Sequence, residues 1–126
     1  EKASYWFRTP ARGEIIICYY PGYTESCVKR VIGLPGETVQ IEGGVVYING
    51  APLDERLYWN DLIAGDYPAY TVPEGMVFVI GDNRNNSKDS RNASVGAIPP
   101  EKVVGRVLGV LWPLDRARLL SEVKYK

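Results

Sequence analysis

Lys29 and Arg30 sit side by side inside an apolar run, Cys27-Val-Lys-Arg-Val-Ile32. Successive side chains of a strand point to opposite faces, so in a thin β fold one of these two cations meets apolar surroundings. An ammonium held there loses hydration, and a lysine driven toward neutrality is what a general base near neutral pH requires. Arginine does not deprotonate, so Arg30 needs water or an anion. A second segment, Gly81-Asp-Asn-Arg-Asn-Asn-Ser-Lys-Asp-Ser-Arg91, concentrates hydrogen-bonding side chains after an apolar run. Asp82, Arg84, Asp89 and Arg91 are placed to form ion pairs, the asparagines favour tight turns, and Ser87 and Ser90 are small hydroxyls able to orient a neighbour. Taken one at a time, both segments have simpler readings. The cations would snorkel from an edge strand, and the polar segment would be a solvated, charge-balanced loop.

Composition narrows the chemistry further. The chain has 126 residues and no histidine, which excludes Ser-His-Asp and Cys-His catalysis, His-ligated zinc and a histidine proton switch. Lys plus Arg equals Asp plus Glu at 15 each, so a basic nucleic-acid binder is not expected. Cys18 and Cys27 alone cannot build a thiolate metal site, and no metal or cofactor is predicted. Two reduced thiols acting as small apolar residues are the favoured reading over a bridge between hairpin strands. No apolar run approaches the ~20 residues of a transmembrane helix.

The elements that must position these residues read as short strands. Glu14–Tyr20 and Ser26–Ile32 are β-rich and separated by Pro21-Gly22. Residues 37–42 alternate, and Val45–Ile48 is followed by the hairpin signal Asn49-Gly50. Residues 52–70 lack periodicity and are predicted to be a long loop. Met76–Ile80 has buried-strand character, residues 81–94 form a loop, and Val103–Trp112 is the last apolar run. The pattern predicts an all-β, small barrel-like or coiled-sheet domain spanning 1–126, with a short β-extension within 38–80 and a short C-terminal helix over 114–123.

Taken together, Lys29-Arg30-x-x-Gly33-x-Pro35-Gly36-Glu37 and Gly81-Asp82-Asn83-Arg84-x-x-Ser87-x-Asp89-Ser90-Arg91 resemble the signature pair of type I, bacterial-type signal peptidases. Arg12-Gly13-Glu14, Val104-Gly105-Arg106 and Trp112-Pro113-Leu114 resemble further stretches of that family, so the likeness runs from about residue 4 to residue 114. It implies a membrane-anchored serine endopeptidase with a Ser-Lys dyad, removing signal peptides on the extracytoplasmic (or thylakoid-type) face of the membrane. By resemblance, Lys29 is the general base and Ser87 the hydroxyl that orients it. Arg30 with Asp82, and Asp89 with Arg91, are pairs that support the site. Ser26 and Val28 align a signal peptide bound as an added β-strand.

The family nucleophile belongs to a Ser-Met-x-Pro motif, and none of the six serines here has that context. The chain is therefore expected to be a fragment lacking the anchor and the nucleophile segment, and inactive alone. Competing readings are a non-catalytic signal-peptidase-like assembly factor, a self-cleaving repressor-type Ser-Lys protease and a plain β-barrel interaction module. Tyr5, Trp6 and Phe7 are expected either to join an apolar patch at the membrane surface or to pack as core of a first strand.

Overall fold

The computed structural model describes residues 10–55 and 62–107. The expectations for Tyr5, Trp6 and Phe7 and for the helix at 114–123 lie outside the described residues. Within them the protein is all-β: eight strands in two antiparallel four-stranded sheets, plus isolated 3-10 turns at Arg84–Asn86 and Pro100–Lys102. The strands are β1 Ile15–Tyr19, β2 Ser26–Gly33, β3 Thr38–Glu42, β4 Val45–Ile48, β5 Ala51–Pro52, β6 Tyr67–Thr71, β7 Phe78–Ile80 and β8 Val103–Val107. The first sheet has the order β7-β2-β1-β8, and the second β5-β4-β3-β6.

Local sequence explains the turns. The Asn49-Gly50 pair joins β4 to β5 with both residues at positive φ, 53° and 85°, as a two-residue hairpin of matching twist demands. One stretch departs from the sequence reading. Tyr67–Thr71, expected within a loop, is a strand paired with β3. Pro68 cannot donate to a ladder, and it is tolerated because β6 is an edge strand whose pairing with β3 shifts register between Val39 and Ile41.

The first sheet carries a core on each face. Val31 and Val79 pack with Ile16, Cys18, Tyr20, Val77, Val95, Ile98 and Val103. Their neighbours Ile32, Phe78 and Ile80 pack the other way, against Val39, Ile41, Val46 and Val72 of the second layer. This double burial is why the inner half of β2 and all of β7 read as continuous apolar runs rather than alternating ones. Cys18 and Cys27 are directly opposed in the β1–β2 register and are free thiols, one buried and the other half-buried.

Candidate active site

Strand β2 carries Lys29 and Arg30 to opposite faces just where its two-sided burial begins. Lys29 pairs in register with Ile16 and Arg30 with Ile15, and Arg30 also opposes Ile80 of β7. The segment after β7 then crosses the end of the sheet and meets both cations. The Lys29 ammonium donates to Ser87 Oγ across 2.9 Å. On the other face Arg30 is 5% exposed and grips Asp82 through Nε at 2.9 Å and Nη2 at 2.7 Å, with Nη1 donating to the Gly13 carbonyl at 2.7 Å. Arg30 thus meets the requirement for an anion that its burial imposes.

The loop bearing Ser87 is braced from within. Asp89 is fully buried and accepts two parallel bonds from Arg91, both 2.8 Å, together with the Gly81 N–H at 2.9 Å. Burial by itself would raise the Asp89 carboxyl. The Arg91 bonds and charge, helped by the Gly81 and Arg91 N–H groups, overcome that and hold it below its ordinary 3.8. Ser90 Oγ accepts from Val79 N–H at 3.0 Å, and Ser90 N–H returns a bond to the Val79 carbonyl. Tyr20, buried just past β1, donates its hydroxyl to the Lys88 carbonyl, next to Ser87. Burial pushes that phenol upward, so it keeps its proton and remains a donor.

Glycine at position 81 is required by close approach. A Cβ built there would lie 1.9 Å from Ser87 Oγ and 3.1 Å from Lys29 Nζ. Ser87 and Lys29 therefore pack directly on the backbone that follows β7. Ser87 also lines an open cavity of about 670 Å³ whose wall includes Ala64, Asn85 and Lys88. Arg12 and Glu37 form a further ion pair, and the Glu37 carboxylate also accepts the Leu34 N–H at 2.8 Å, closing the turn that follows β2.

Ser26 and Val28 lie on the outer half of β2, on the face opposite Lys29, with Ser26 exposed and Val28 half-buried. The bond from Val31 N–H to the Glu14 carbonyl fixes the phase of the β1–β2 ladder. Residues 27, 29 and 31 turn their backbone groups toward β1, so those of Ser26 and Val28 face the other edge. Strand β7 covers that edge only from Arg30 to Gly33, and no described strand covers it at Ser26–Val28.

Lys29, Arg30, Asp82, Ser87, Asp89, Arg91, Ser26 and Val28, singled out in the sequence, are thus placed on β2 and the 81–91 segment. Two contributors are not singled out there: Tyr20 reads as an ordinary strand aromatic, and Glu55 lies in a stretch without periodicity. Arg84 is expected to form an ion pair, but its full burial and its partner Glu55 are not expected. Only the apolar run that precedes position 20 gives any signal. Among the described residues no group of His, Cys, Asp and Glu is arranged to hold a metal ion, and no helix is long and apolar enough to cross a membrane.

Comparison with known proteins agrees with this architecture. Residues 1–112 match the family model described as signal peptidase, peptidase S26. The chain is 43% identical over 124 residues to a signal peptidase I of Leptolyngbya laminosa, covering 92% of this chain and 60% of that protein. It is 41% identical over 129 residues to a probable signal peptidase I-2 of Synechocystis, covering 97% and 57%. The chain therefore spans somewhat over half the length of these curated relatives. A crystal structure of a signal peptidase I from Enterococcus faecalis superposes with a TM-score of 0.70 at 35% identity, over 82% of this chain and 100% of that one. Family model, relatives and solved structure agree: the chain belongs to the signal peptidase, peptidase S26 family.

Proposed function

We propose that this chain is the catalytic domain of a serine endopeptidase that removes signal peptides from exported proteins at the extracytoplasmic face of a membrane. The observation that carries the reading is the 2.9 Å contact between Lys29 Nζ and Ser87 Oγ, set on a loop fixed by buried ion pairs. In this mechanism Lys29, in its neutral form, takes the proton of a serine hydroxyl as that oxygen attacks the scissile carbonyl. The lysinium then returns the proton to the leaving amine. Ser87 fixes the direction of the Lys29 amine. The Arg30–Asp82 and Asp89–Arg91 pairs hold the two segments in register.

The attacking hydroxyl is that of a Ser-Met-x-Pro segment, a motif that does not occur among these 126 residues. The uncovered edge at Ser26–Val28 receives the signal peptide as an added strand, and its backbone groups supply the ladder bonds. No nucleic acid, metal or cofactor takes part.

The test is cleavage of an Ala-x-Ala preprotein by the full-length protein. Lys29→Ala is expected to lower kcat by ~10²–10⁴-fold, the usual contribution of a general base. Ser87→Ala removes the hydrogen bond to the lysinium that develops in the transition state, ~1.5–3 kcal/mol or roughly 10- to 100-fold. Turnover by Lys29→Ala at the wild-type rate would refute the assignment.

A further inference from the structure

The buried charges of the site do not end at Asp82. Arg84, in the 3-10 turn that leads into Ser87, has a side chain with 0% exposure. Its Nη1 donates to Glu55 Oε1 at 3.0 Å, and its Nη2 lies 3.7 Å from Asp82 Oδ1. Glu55, itself 8% exposed, follows β5 of the second sheet and is 29 residues from Arg84 in sequence. The order Arg30, Asp82, Arg84, Glu55 is an alternating row of buried cations and anions that starts beside Lys29 and ends in the segment following β5 of the other sheet.

Two more bonds close around the same turn. The Ala64 N–H donates to Asn85 Oδ1 at 2.7 Å, and Arg91 Nη2 donates to the Arg84 carbonyl at 2.9 Å. The segment between β5 and β6 therefore grips Arg84 and Asn85, the residues just ahead of Ser87, at two points.

We propose that Glu55 is a positioning residue for the Lys29–Ser87 pair: by pairing with the buried Arg84 it docks the 84–86 turn and sets the depth at which Ser87 Oγ meets Lys29 Nζ. A guanidinium with no exposure depends strongly on the anions that face it. Glu55 and Asp82 both face Arg84, and Asp82 is already bound by two nitrogens of Arg30. Withdrawing the Glu55 charge draws Asp82 toward Arg84, or draws Arg84 toward water, and either movement carries the turn away from Lys29. The segment between β5 and β6 thus holds the reacting groups in place without touching them.

The kinetic part of this inference rests on the proposed peptidase reading, whereas the geometric part does not. Glu55→Gln is made in the full-length protein, alone and with Ser87→Ala. Its kcat on an Ala-x-Ala preprotein is expected to fall by ~10- to 100-fold, as for a misplacement of about 1 Å, with KM within about twofold of wild type. In the Ser87→Ala background the same substitution is expected to cost less than about twofold, because the group it positions is gone. A merely destabilising role would give equal losses in both backgrounds, and that result overturns the proposal.

A crystal structure of Glu55→Gln provides the arm independent of turnover. A Lys29 Nζ to Ser87 Oγ distance beyond hydrogen-bond range supports the proposal, and retention of the 2.9 Å contact refutes it. This arm remains decisive if the wild-type protein shows no Lys29-dependent cleavage, an outcome that would remove the peptidase reading alone. Should Glu55→Gln fail to fold, Glu55→Gln with Arg84→Met removes both charges and is expected to restore folding and the Lys29–Ser87 contact. Failure of the double variant to do so overturns the proposal as well.

Discussion

Gly81→Ala is the substitution for which the structure gives the sharpest expectation. The new Cβ would fall 1.9 Å from Ser87 Oγ, 2.7 Å from Ser87 Cβ and 3.1 Å from Lys29 Nζ, where ordinary contact begins at 3.4 Å. Rotation of the serine hydroxyl relieves the first clash but not the second, since Cβ does not move with χ1. Backbone must therefore separate by about 0.7 Å, the shortfall at Cβ, and a hydroxyl keeping its present rotamer must retreat by about 1.5 Å. Gly81 is not in the left-handed region, so alanine meets no backbone penalty there and the effect is steric. Overpacking of this kind costs ~1–3 kcal/mol of stability. A shift near 1 Å between reacting groups costs on the order of 10²-fold in rate. The assay is kcat for preprotein cleavage by the full-length protein, with thermal melting of the same sample to establish that it is folded at the assay temperature. Wild-type kcat in a folded Gly81→Ala protein, with the Lys29–Ser87 contact intact, would show that the pair is not packed on the residue 81 backbone and would refute the reasoning.

Two other outcomes follow from groups whose protonation the fold alters. Asp89 is held below 3.8, so its contribution to stability is complete above that value and disappears as pH falls through the lower folded value. Urea unfolding midpoints should drop as pH is taken from 5 toward 2, and Asp89→Asn should flatten that part of the curve while lowering stability at pH 7. Burial, then the neighbouring Cys27, pushes the Cys18 thiol up to about 12. An aromatic disulfide reagent at pH 8 should therefore label Cys27 first in the native protein and Cys18 only on unfolding; two equally fast thiols would contradict the buried position of Cys18.

Much of this arrangement is legible in the sequence, for reasons that can be named. The alternation of side chains along a strand puts Lys29 and Arg30 on opposite faces whatever the rest of the fold does. Arginine's fixed charge then demands a carboxylate, which Asp82 supplies. The Asn49-Gly50 turn is decided by local backbone preference alone. What local reasoning did not reach depends on distant partners. Tyr67–Thr71 carries a proline and exposes much of its length, so nothing but its ladder with β3 makes it a strand. Arg84 is expected from sequence to form an ion pair, but neither its full burial nor its partner Glu55, 29 residues away, is signalled by any neighbour in sequence. The polar segment 81–91 reads by composition as a solvated loop, yet Asp82, Arg84, Asp89 and Ser90 are all buried, their charges answered by one another and by strand edges.

Strand β2 behaves as a cantilever. Its root, from Arg30 to Gly33, is paired with β7 and buried between cores on both faces, whereas its tip at Ser26–Val28 has β1 alone beside it among the described strands and partly exposed side chains. Lys29 stands where the beam leaves its mounting. Substitutions in the exposed residues 21–26 perturb little of the buried framework, so that stretch is free to drift, and it is there that selectivity is most open to redesign without cost to the chemistry at the root.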